Sequence, residues 1–472
     1  MLSLSGEISH NCGLVVAHTL HDVYSMIKSL QHRGREATGI AAIGNDRIDV
    51  IKWKGPVDRF DLVDLYKMFL SPNYHTYMAH VRYATRGRKD QILEDAHPHT
   101  IGGIIENRGS HTIISDCEMA IVHNGQTDEN YFAGIDKSLF STGCDSEALL
   151  YFFRDKGEHE LLRSIPGSYT LGIADKRRKD VIVLRDKTGI KPGVLGLKDG
   201  KFGVSSEDIA FRENRGEFIE DLKPGHVYYL SSKGNYRSEK VVDEQLAQCF
   251  FEWNWFAHHE SIVNGVSVRR VRETEGEMLA QEFNPEDVDY VTYLPRAPEA
   301  AARRYAEKIK KPFIPVFYKM RSERAFQGST DDDRKDSIEQ NLHLIPRIIP
   351  MIKGKVILSI DDSTVRGNNS KRERELFYEV AKVKKAYHVN YTPPIGDVGK
   401  DGVPRGCTFG VDMPPDDNFI ARGRTLEQIS REMKMPVFYL SMNGMLSAYE
   451  KLGILGGNLC TYCIGGEHPF KG

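Results

Sequence analysis

The sequence predicts two domains of different fold class, an α+β domain followed by an α/β domain. In the first half, short apolar strands joined by tight turns are interrupted by at least two helices, which indicates antiparallel sheets with packed helices. In the second half, strands and helices alternate, which indicates parallel βαβ units. The composition becomes polar between about Ser231 and Gln248, and we therefore place the domain boundary between residues 247 and 248.

Hydrophobic periodicity and turn residues predict the elements of the first domain. Apolar residues recur at helical spacing between Thr19 and Arg33, whereas residues on either side of Gly44-Asn45-Asp46 alternate as in a hairpin. In chain order, we expect a helix over 19–33, a hairpin over 39–53, a strand over 74–83, a loop over 95–111, a strand over 118–122 with a turn at 123–125, a helix over 145–163 and a hairpin over 169–185. Asp145 is the expected N-cap of the second helix.

Apolar strands followed by helical stretches predict the second domain. In chain order, we expect a strand over 288–294, a helix over 299–310, strands over 313–318 and 356–360, a helix over 371–384 and a strand over 386–391.

Length and composition limit the class of protein. The chain has 472 residues, and 64 Lys and Arg against 66 Asp and Glu give a net charge of −2. This balance argues against a nucleic-acid partner, because no excess of positive charge would attract a phosphate backbone. No apolar run approaches the ~18 residues of a membrane-spanning helix, which argues against a membrane protein. Seven cysteines are too few for a disulfide scaffold and odd in number, and they favour a reducing, cytoplasmic location.

A short polar leader precedes the first predicted strand. Residues 1–11 lack the basic and apolar regions of a secretory signal, and Cys12-Gly13 begins an apolar run. If residues 1–11 are a propeptide, its removal makes Cys12 the N-terminal residue. The free α-amino group, with a pKa of ~7.7–8.0, can then act as the base for the Cys12 thiol. The alternative is a structural cysteine that is buried behind a disordered leader.

Three polar segments of the first domain suggest recognition of an amino acid. Arg82 lies in His80-Val-Arg-Tyr-Ala-Thr85, Asn124-Gly125 follows a predicted strand, and Asp145 begins a helix. A guanidinium and a carboxylate match the two charges of an α-amino acid. An Asn amide beside a Gly N–H can form an oxyanion hole for thiolate attack on an amide. Together with Cys12, these residues predict a thiol amidase that acts on an amino acid with an amide side chain.

A turn rich in acids and small residues follows the predicted strand over 356–360. It contains Asp361, Asp362, Ser363, Thr364, Val365, Arg366, Gly367, Asn368 and Asn369. Turn amides and a helix N-terminus suit a phosphate, and paired acids suit ribose hydroxyls or a hydrated Mg²⁺. The alternative is an ordinary βα turn with solvated acids.

Cysteines form another candidate site. Cys460 and Cys463 form a CxxC pair, with Cys249 and Cys407 as remote candidates. Four thiolates satisfy a tetrahedral zinc ion or a [4Fe–4S] cluster, but a redox pair or a reduced structural pair explains the motif equally well. Cys117 and Cys144 have no partner in the pattern, and we expect them to be buried or incidental.

At these positions the chain resembles the glutamine phosphoribosylpyrophosphate amidotransferases, also called amidophosphoribosyltransferases, of the cluster-containing type with a short propeptide. The stretches that carry the resemblance are 12–13, 30–36, 80–85, 123–125, 145–147, 249–252, 361–367 and 460–463. The resemblance implies an N-terminal-nucleophile hydrolase domain with four αββα layers, a class II glutamine amidotransferase, at 12–247. A type I phosphoribosyltransferase domain then follows at 248–472. The implied reaction converts glutamine and phosphoribosyl pyrophosphate to 5-phosphoribosylamine, glutamate and pyrophosphate, the first step of de novo purine biosynthesis.

The resemblance also implies a role for each matching residue. Cys12 corresponds to the nucleophile, and Asn124 and Gly125 correspond to the oxyanion hole. The implied substrate-binding residues are Arg82, Thr85 and Asp145 for glutamine, and Arg324 with Ser363, Thr364, Val365, Arg366, Gly367, Asn368 and Asn369 for phosphoribosyl pyrophosphate. The implied metal ligands are Asp361 and Asp362 for Mg²⁺, and Cys249, Cys407, Cys460 and Cys463 for a [4Fe–4S] cluster. A homo-oligomer that is inhibited by purine nucleotides is also implied.

Three segments depart from the family pattern. The family has Pro-Asp-Ser where this chain has Pro295-Arg296-Ala297. Its flexible loop ends Gly-Arg-Thr-Phe where residues 323–326 read Glu-Arg-Ala-Phe, and it has two threonines where Asn368-Asn369 stand. All three segments concern phosphate or pyrophosphate. Two alternatives therefore stay open: a glutaminase that delivers ammonia to another phosphorylated acceptor, and a non-catalytic nucleotide sensor.

Overall fold

A computed structural model describes residues 12–69, 71–82, 91–127, 132, 135–319, 342–411, 413–415 and 418–470. The leader over residues 1–11 and the predicted binding residues Thr85 and Arg324 lie outside these ranges. No helix in the described ranges has both the length and the apolar character that crossing a bilayer requires.

Two antiparallel sheets packed face to face form the first half of the chain. The first sheet contains, in spatial order, Glu217–Asp221, Val194–Lys198, Lys201–Ser205, Gly13–Ala17, Thr76–Arg82, Ala37–Ile43, Ile48–Lys54, His111–Ser115 and Ile104–Asn107. The second sheet contains Tyr236–Lys240, His226–Ser231, Asp180–Arg185, Gly167–Asp175, Met119–Thr127 and His99–Ile101. Buried side chains such as Leu14, Val16 and Val122 fill the space between the sheets.

Helices cover the outer face of each sheet. Leu20–Ser29 packs on the first sheet, and Leu62–Met68 and Ile209–Arg212 lie on the same side. Asp145–Ser164 packs on the second sheet. The layers therefore follow the order helix, sheet, sheet, helix, and the predicted αββα architecture is confirmed.

Three local predictions in this half are wrong. The segment over 95–111 is not only a loop, because it adds His99–Ile101 to the second sheet and Ile104–Asn107 to the first. These edge strands are too short to show an alternating pattern. The expected turn at 123–125 is a continuous part of the strand Met119–Thr127. Gly125 is needed there because the partner strand is close: a Cβ on Gly125 would lie 1.9 Å from Ser168 O. The N-cap of the second helix is Cys144, and Asp145 is the first helical residue.

A four-stranded parallel sheet forms the centre of the second half, and the α/β prediction is confirmed. Its strands are, in spatial order, Tyr290–Tyr293, Val356–Asp361, Lys385–Asn390 and Val437–Tyr439. The helices among the described residues of this half are Val268–Glu282, Glu299–Ile309, Ile349–Ile352, Asn368–Glu375 with a wider turn at Leu376–Ala381, Leu426–Met433 and Met442–Glu450.

The second expected strand, over 313–318, does not join the parallel sheet as predicted. The segment makes only a single parallel bridge, from Phe313 to Val291, and its end continues as Phe317–Lys319, which pairs antiparallel with Leu342–Leu344. The three-residue strand Val437–Tyr439 joins the sheet instead and is too short to have shown a pattern. The boundary between residues 247 and 248 stays a prediction.

Candidate active site

Cys12 lies at the start of a central strand of the first sheet. It directly precedes Gly13–Ala17, which pairs antiparallel with Thr76–Arg82 so that Gly13 is opposite Val81. The register therefore brings Cys12 opposite Arg82, and both residues are buried. The predicted nucleophile and the predicted carboxylate-binding cation thus lie on neighbouring strands.

Arg82 is held between two carboxylates. Its Nη1 lies 3.2 Å from Glu36 Oε2, and its Nη2 donates to Asp95 Oδ2 at 3.2 Å. Burial raises the pKa of both acids, and the guanidinium opposes that rise. The side chain of Glu36 is 31% exposed and that of Asp95 only 6%. A carboxylate of a ligand can therefore reach Arg82 by taking the place of the Glu36 side chain.

Asn124 and Asp145 approach from the second sheet and its covering helix. Asn124 is fully buried, and neither its Nδ2 nor its Oδ1 has a hydrogen-bond partner among the described residues. Buried amides without partners are rare, because leaving them unsatisfied is costly, so Asn124 is suited to bind a ligand. Asp145 Oδ2 accepts from Thr127 N at 2.8 Å and Thr127 Oγ1 at 3.1 Å. Burial raises the pKa of Asp145 to about 6.

A buried cation holds the backbone at Cys12. Arg33 Nε donates to Cys12 O at 3.0 Å. Arg33 Nη1 donates to Glu207 Oε1 at 2.6 Å, and Nη2 donates to the two oxygens of Glu252 at 3.1 and 2.9 Å. Burial alone would raise the pKa of Glu207, but its charged and hydrogen-bonding neighbours hold it well below the usual value. One guanidinium therefore joins the strand of Cys12 to two carboxylates that are distant in sequence.

The same network extends to the cysteine ligands predicted in the second half. Lys191 Nζ lies 3.5 Å from Glu252 Oε1 and donates to Gly410 O at 2.6 Å. The backbone N–H of Gly410 in turn donates to Cys407 Sγ at 3.2 Å. Ser168 in the second sheet donates to Phe409 O in the same loop. The loop after Cys407 is therefore fixed against the first half of the chain.

The four cysteines of the candidate cluster site are brought together. They are Cys249, Cys407, Cys460 and Cys463, all buried and without disulfides. Cys249 pairs with Cys460 in a short parallel ladder, and burial together with the other three thiols raises the pKa of Cys463 well above its usual value. A tetrahedral zinc ion with 2.3 Å bonds needs its sulfurs about 3.8 Å apart. Four buried thiols supply a donor set for either this ion or an iron–sulfur cluster.

The paired acids lie at the carboxyl edge of the parallel sheet. Asp361 ends the strand Val356–Asp361, and its Oδ1 accepts from Asp362 N at 2.9 Å. Burial and the neighbouring carboxylate raise the pKa of Asp361 well above its usual value. The adjacent strand ends at the same edge, where Leu294 N donates to Ile360 O at 2.9 Å. The divergent Pro295-Arg296-Ala297 segment therefore follows at the edge that carries the acids.

The turn after the acids presents mainly backbone groups. Gly367, with a φ of 79°, caps Asn368–Glu375, and no side chain caps this helix, so its first N–H groups are available to an anion. The hydroxyl of Thr364 is instead occupied by His388 Nε2 and Asn390 Oδ1, both at 2.8 Å. Among the other predicted phosphate ligands, Val365 is buried in the core, Ser363 donates to Asp362 Oδ2 at 3.0 Å, and Arg366, Asn368 and Asn369 are partly exposed.

Sequence reasoning missed several residues that shape the site. Arg33 and Glu252 stand inside motifs that carried the family resemblance, but neither was given a role. Of the two partners of Arg82, Glu36 also ends one of these motifs, whereas Asp95 had no signal apart from its charge. Thr85 and Arg324 lie outside the described residues.

Comparison with known proteins supports the resemblance. The model of a glutamine amidotransferase domain matches residues 102–245. Amidophosphoribosyltransferase of Archaeoglobus fulgidus is 28% identical over 463 residues, covering 94% of both chains. The Bacillus subtilis protein of that name is 26% identical over 462 residues, covering 94% of this chain and 90% of the relative.

Solved structures agree with these matches. Glutamine phosphoribosylpyrophosphate amidotransferase from B. subtilis, complexed with ADP and GMP, matches with a TM-score of 0.79 at 25% identity over 97% of each chain. A structure described as the allosteric regulatory enzyme of purine biosynthesis has the same fold, with a TM-score of 0.81 at 24% identity over 97% of this chain and 96% of the other. Over nearly its whole length, therefore, the chain is similar in sequence and in fold to amidophosphoribosyltransferases.

Proposed function

We propose that this chain transfers the amide nitrogen of glutamine to phosphoribosyl pyrophosphate, giving 5-phosphoribosylamine, glutamate and pyrophosphate. The observation that carries the proposal is the combination of two half-sites in one chain. Cys12 and Arg82 face each other on neighbouring strands, and Asp361 and Asp362 end a parallel strand before an open helix N-terminus. The first half-site suits an amide-bearing amino acid, and the second suits a phosphorylated sugar.

In the glutaminase half-reaction, the Cys12 thiolate attacks the side-chain amide carbon of glutamine. Ammonia leaves, and water then releases glutamate from the thioester. The orphaned amide of Asn124, together with the Gly125 N–H, would stabilise the oxyanion. Arg82 would bind the α-carboxylate after Glu36 moves aside, with Thr85 as a further contact. Asp145 would hold the α-ammonium group through a buried carboxylate.

In the acceptor half-reaction, the phosphorylated sugar would bind at the edge of the parallel sheet. Asp361 and Asp362 are the residues that would hold Mg²⁺, which neutralises pyrophosphate charge when bound. The amides of residues 363–369 would receive the 5-phosphate at the helix N-terminus. Arg324 would contact the pyrophosphate.

The direct test of the proposed function is product formation. Purified protein supplied with glutamine, Mg²⁺ and phosphoribosyl pyrophosphate should release glutamate and pyrophosphate in equal amounts. Glutamate release without any pyrophosphate would reject the proposed acceptor, while no release of either product would reject the whole assignment.

A second candidate function follows from the segment Pro295-Arg296-Ala297. Arg296 is exposed beside the paired acids, at a position where the family has an acid. An additional cation there could contact pyrophosphate directly, or it could select a different phosphorylated acceptor for ammonia. Glutamate release that is stimulated by another sugar phosphate, and not by phosphoribosyl pyrophosphate, would favour the second candidate. The third alternative, a nucleotide sensor without catalysis, predicts no glutamine hydrolysis at all.

A [4Fe–4S] cluster is the group that we propose for Cys249, Cys407, Cys460 and Cys463. The donor set consists of four buried thiols, and two backbone N–H groups, from Gly410 and Val411, donate to Cys407 Sγ at 3.2 Å. Such hydrogen bonds stabilise a cluster thiolate. We expect about four iron and four sulfide ions per anaerobically purified chain. One zinc ion per chain in their place would contradict this assignment.

The pKa of Asp145 predicts how glutamine use depends on pH. Because burial raises this pKa to about 6, the carboxylate becomes neutral below that pH and loses its attraction for the glutamine ammonium. We expect kcat/KM for glutamine, measured as glutamate release, to fall about tenfold per pH unit below pH 6. For Asp145→Asn, kcat/KM for glutamine should be low at every pH and should not show this fall below pH 6. A wild-type profile that stays flat below pH 6 would remove Asp145 from substrate binding.

The remaining properties proposed for this chain come from the family. We propose that residues 1–11 are removed as a propeptide, that 12–247 and 248–472 are the two domains, and that the enzyme is a cytoplasmic homo-oligomer. Purine nucleotides are the proposed feedback inhibitors, since the B. subtilis structure is a complex with ADP and GMP.

A further inference from the structure

A group of three buried metal-ligating side chains lies beside Asp145, outside the residues proposed for catalysis. His97, His99 and Cys144 each offer one ligand atom, and these atoms lie within 4.8 Å of one another. The histidines stand where the chain enters the second sheet, and Cys144 caps the helix that begins with Asp145. The group combines two imidazoles with one thiol, which is a donor set that selects zinc among the common biological cations.

The protonation states of these residues suit a metal ion. Burial lowers the pKa of His99 well below its usual value, so its imidazole is neutral near pH 7. Its Nε2 is buried and has no hydrogen-bond partner among the described residues, which leaves a lone pair for a ligand. Burial raises the pKa of Cys144, so a metal ion must displace the thiol proton in order to bind.

Neighbouring contacts hold two of the ligands side by side. The hydroxyl of Ser146 lies 2.8 Å from His97 Nε2 and 3.3 Å from Cys144 Sγ. The backbone at His97 also packs closely against the strand Ala37–Ile43, because a Cβ on Gly39 would lie only 2.1 Å from His97 O. A tetrahedral zinc ion requires its ligand atoms about 3.3–3.7 Å apart, so side-chain shifts of about 1 Å complete the site.

The carboxylate proposed to bind glutamine lies within reach of the same ion. Cys144 Sγ is 3.7 Å from Asp145 Oδ1, and the other oxygen of Asp145 is fixed by Thr127. A three-ligand zinc site keeps a fourth position open, and Asp145 Oδ1 is an available ligand for it. A carboxylate that is bound to zinc no longer attracts the ammonium group of an amino acid.

We propose that His97, His99 and Cys144 form a zinc site that inhibits the glutaminase by withdrawing Asp145 from glutamine. The inhibitory part rests on the role proposed above for Asp145, whereas the metal site does not. Binding exchanges the Cys144 thiol proton for the metal, so about one proton is released per ion at pH 7.5. The edge of the parallel sheet contains none of these residues, and the ammonia-dependent reaction there should not respond to zinc.

Cobalt binding tests the site without relying on activity. The protein, with its cluster assembled, is titrated anaerobically with Co²⁺, and the thiolate-to-cobalt absorption band is recorded for wild type, Cys144→Ser, His99→Gln and Cys117→Ser. Cys117 is a matched control because it is also fully buried in the first half of the chain. We expect Cys117→Ser to bind as wild type does, Cys144→Ser to bind one ion fewer, and His99→Gln to bind this ion at least about tenfold more weakly.

Equal stoichiometry and affinity in all four proteins would overturn the metal site. If Cys144→Ser fails to fold, as judged by its thermal transition, His99→Gln decides the question alone. If the protein binds cobalt at this site but hydrolyses no glutamine, the metal site stands and the proposed function is rejected.

Zinc inhibition tests the effect on glutamine. Each protein is compared with its own metal-free rate of glutamate release. We expect zinc to raise the KM for glutamine in wild type and Cys117→Ser, and His99→Gln to need at least about tenfold more zinc for the same effect. Inhibition through the thiol of Cys12 would persist unchanged in His99→Gln and would overturn the regulatory role.

Discussion

Cys12→Ala is expected to lower glutamine-dependent turnover by at least about 10³-fold, because removing a nucleophile leaves only binding and oxyanion stabilisation. Turnover with free ammonia should be retained, since the residues proposed for the acceptor end a strand of a different sheet. The measurement compares pyrophosphate release with glutamine and with an ammonium salt at alkaline pH. A large loss of pyrophosphate release with glutamine, but not with the ammonium salt, would show that Cys12 acts only in the glutaminase half-reaction.

Cys117→Ala is the matched control for this substitution. Cys117 is as buried as Cys12 and lies in the same half of the chain, but it packs in the core between the sheets and its thiol donates to Ile114 O. Both activities of Cys117→Ala should therefore change little at a temperature where the protein stays folded. Glutamine-dependent turnover that survives in Cys12→Ala would reject the proposed mechanism. Intact mass measurement of wild type adds an independent check, because the free amino group at Cys12 requires loss of residues 1–11.

The sequence predicted best those features that depend on neighbours along the chain. The hairpin around Gly44-Asn45-Asp46 was predicted because its turn and both strands, Ala37–Ile43 and Ile48–Lys54, lie in one segment. Cys12 was identified from the polar leader before it and the apolar run after it. The edge strands His99–Ile101 and Ile104–Asn107 were missed because hydrogen bonds to distant strands, and not a pattern of their own, hold them in place.

The parts of the site that were missed depend on long-range pairing. Arg33 meets Glu252 across 219 positions, and no local pattern predicts such a pair. Cys144 had no predicted role because its two histidine neighbours come from a segment that was expected to be a loop. The Thr364 hydroxyl was expected near a phosphate, but it binds His388 and Asn390 on the adjacent strand. The types of residue were enough to predict the chemistry of the site. The direction in which each side chain points could be known only from the packed structure.

Arg33→Met is expected to destabilise the protein by about 3–5 kcal/mol, because it leaves the carboxylates of Glu207 and Glu252 buried without their shared cation. The matched control is Arg303→Met, which breaks an ion pair to Glu299 in which the Arg303 side chain is 60% exposed. That surface pair should contribute less than about 1 kcal/mol. Thermal unfolding of both variants and wild type measures the difference, and the glutamine-dependent rate of Arg33→Met should fall because Cys12 O loses its donor.

The pH dependence of the loss of stability in Arg33→Met distinguishes the cost of unpaired buried carboxylates from the cost of lost packing. In the wild type, the pKa of Glu207 is held well below its usual value. The ionised carboxylate therefore stabilises the folded protein at any pH above the usual pKa, and this stabilisation is lost as the pH falls through the lowered pKa. Without Arg33, Glu207 keeps His32 Nε2 at 2.8 Å from its Oε1 but loses its buried guanidinium partner, so its pKa rises and acid relieves part of the penalty of the buried charge. The gap in Tm between Arg33→Met and wild type should therefore narrow from about pH 8 to about pH 5. A difference in Tm between Arg33→Met and wild type that does not change with pH would mean that Arg33 stabilises the protein through its packing. It would also mean that the buried charges do not connect the strand of Cys12 to Glu252.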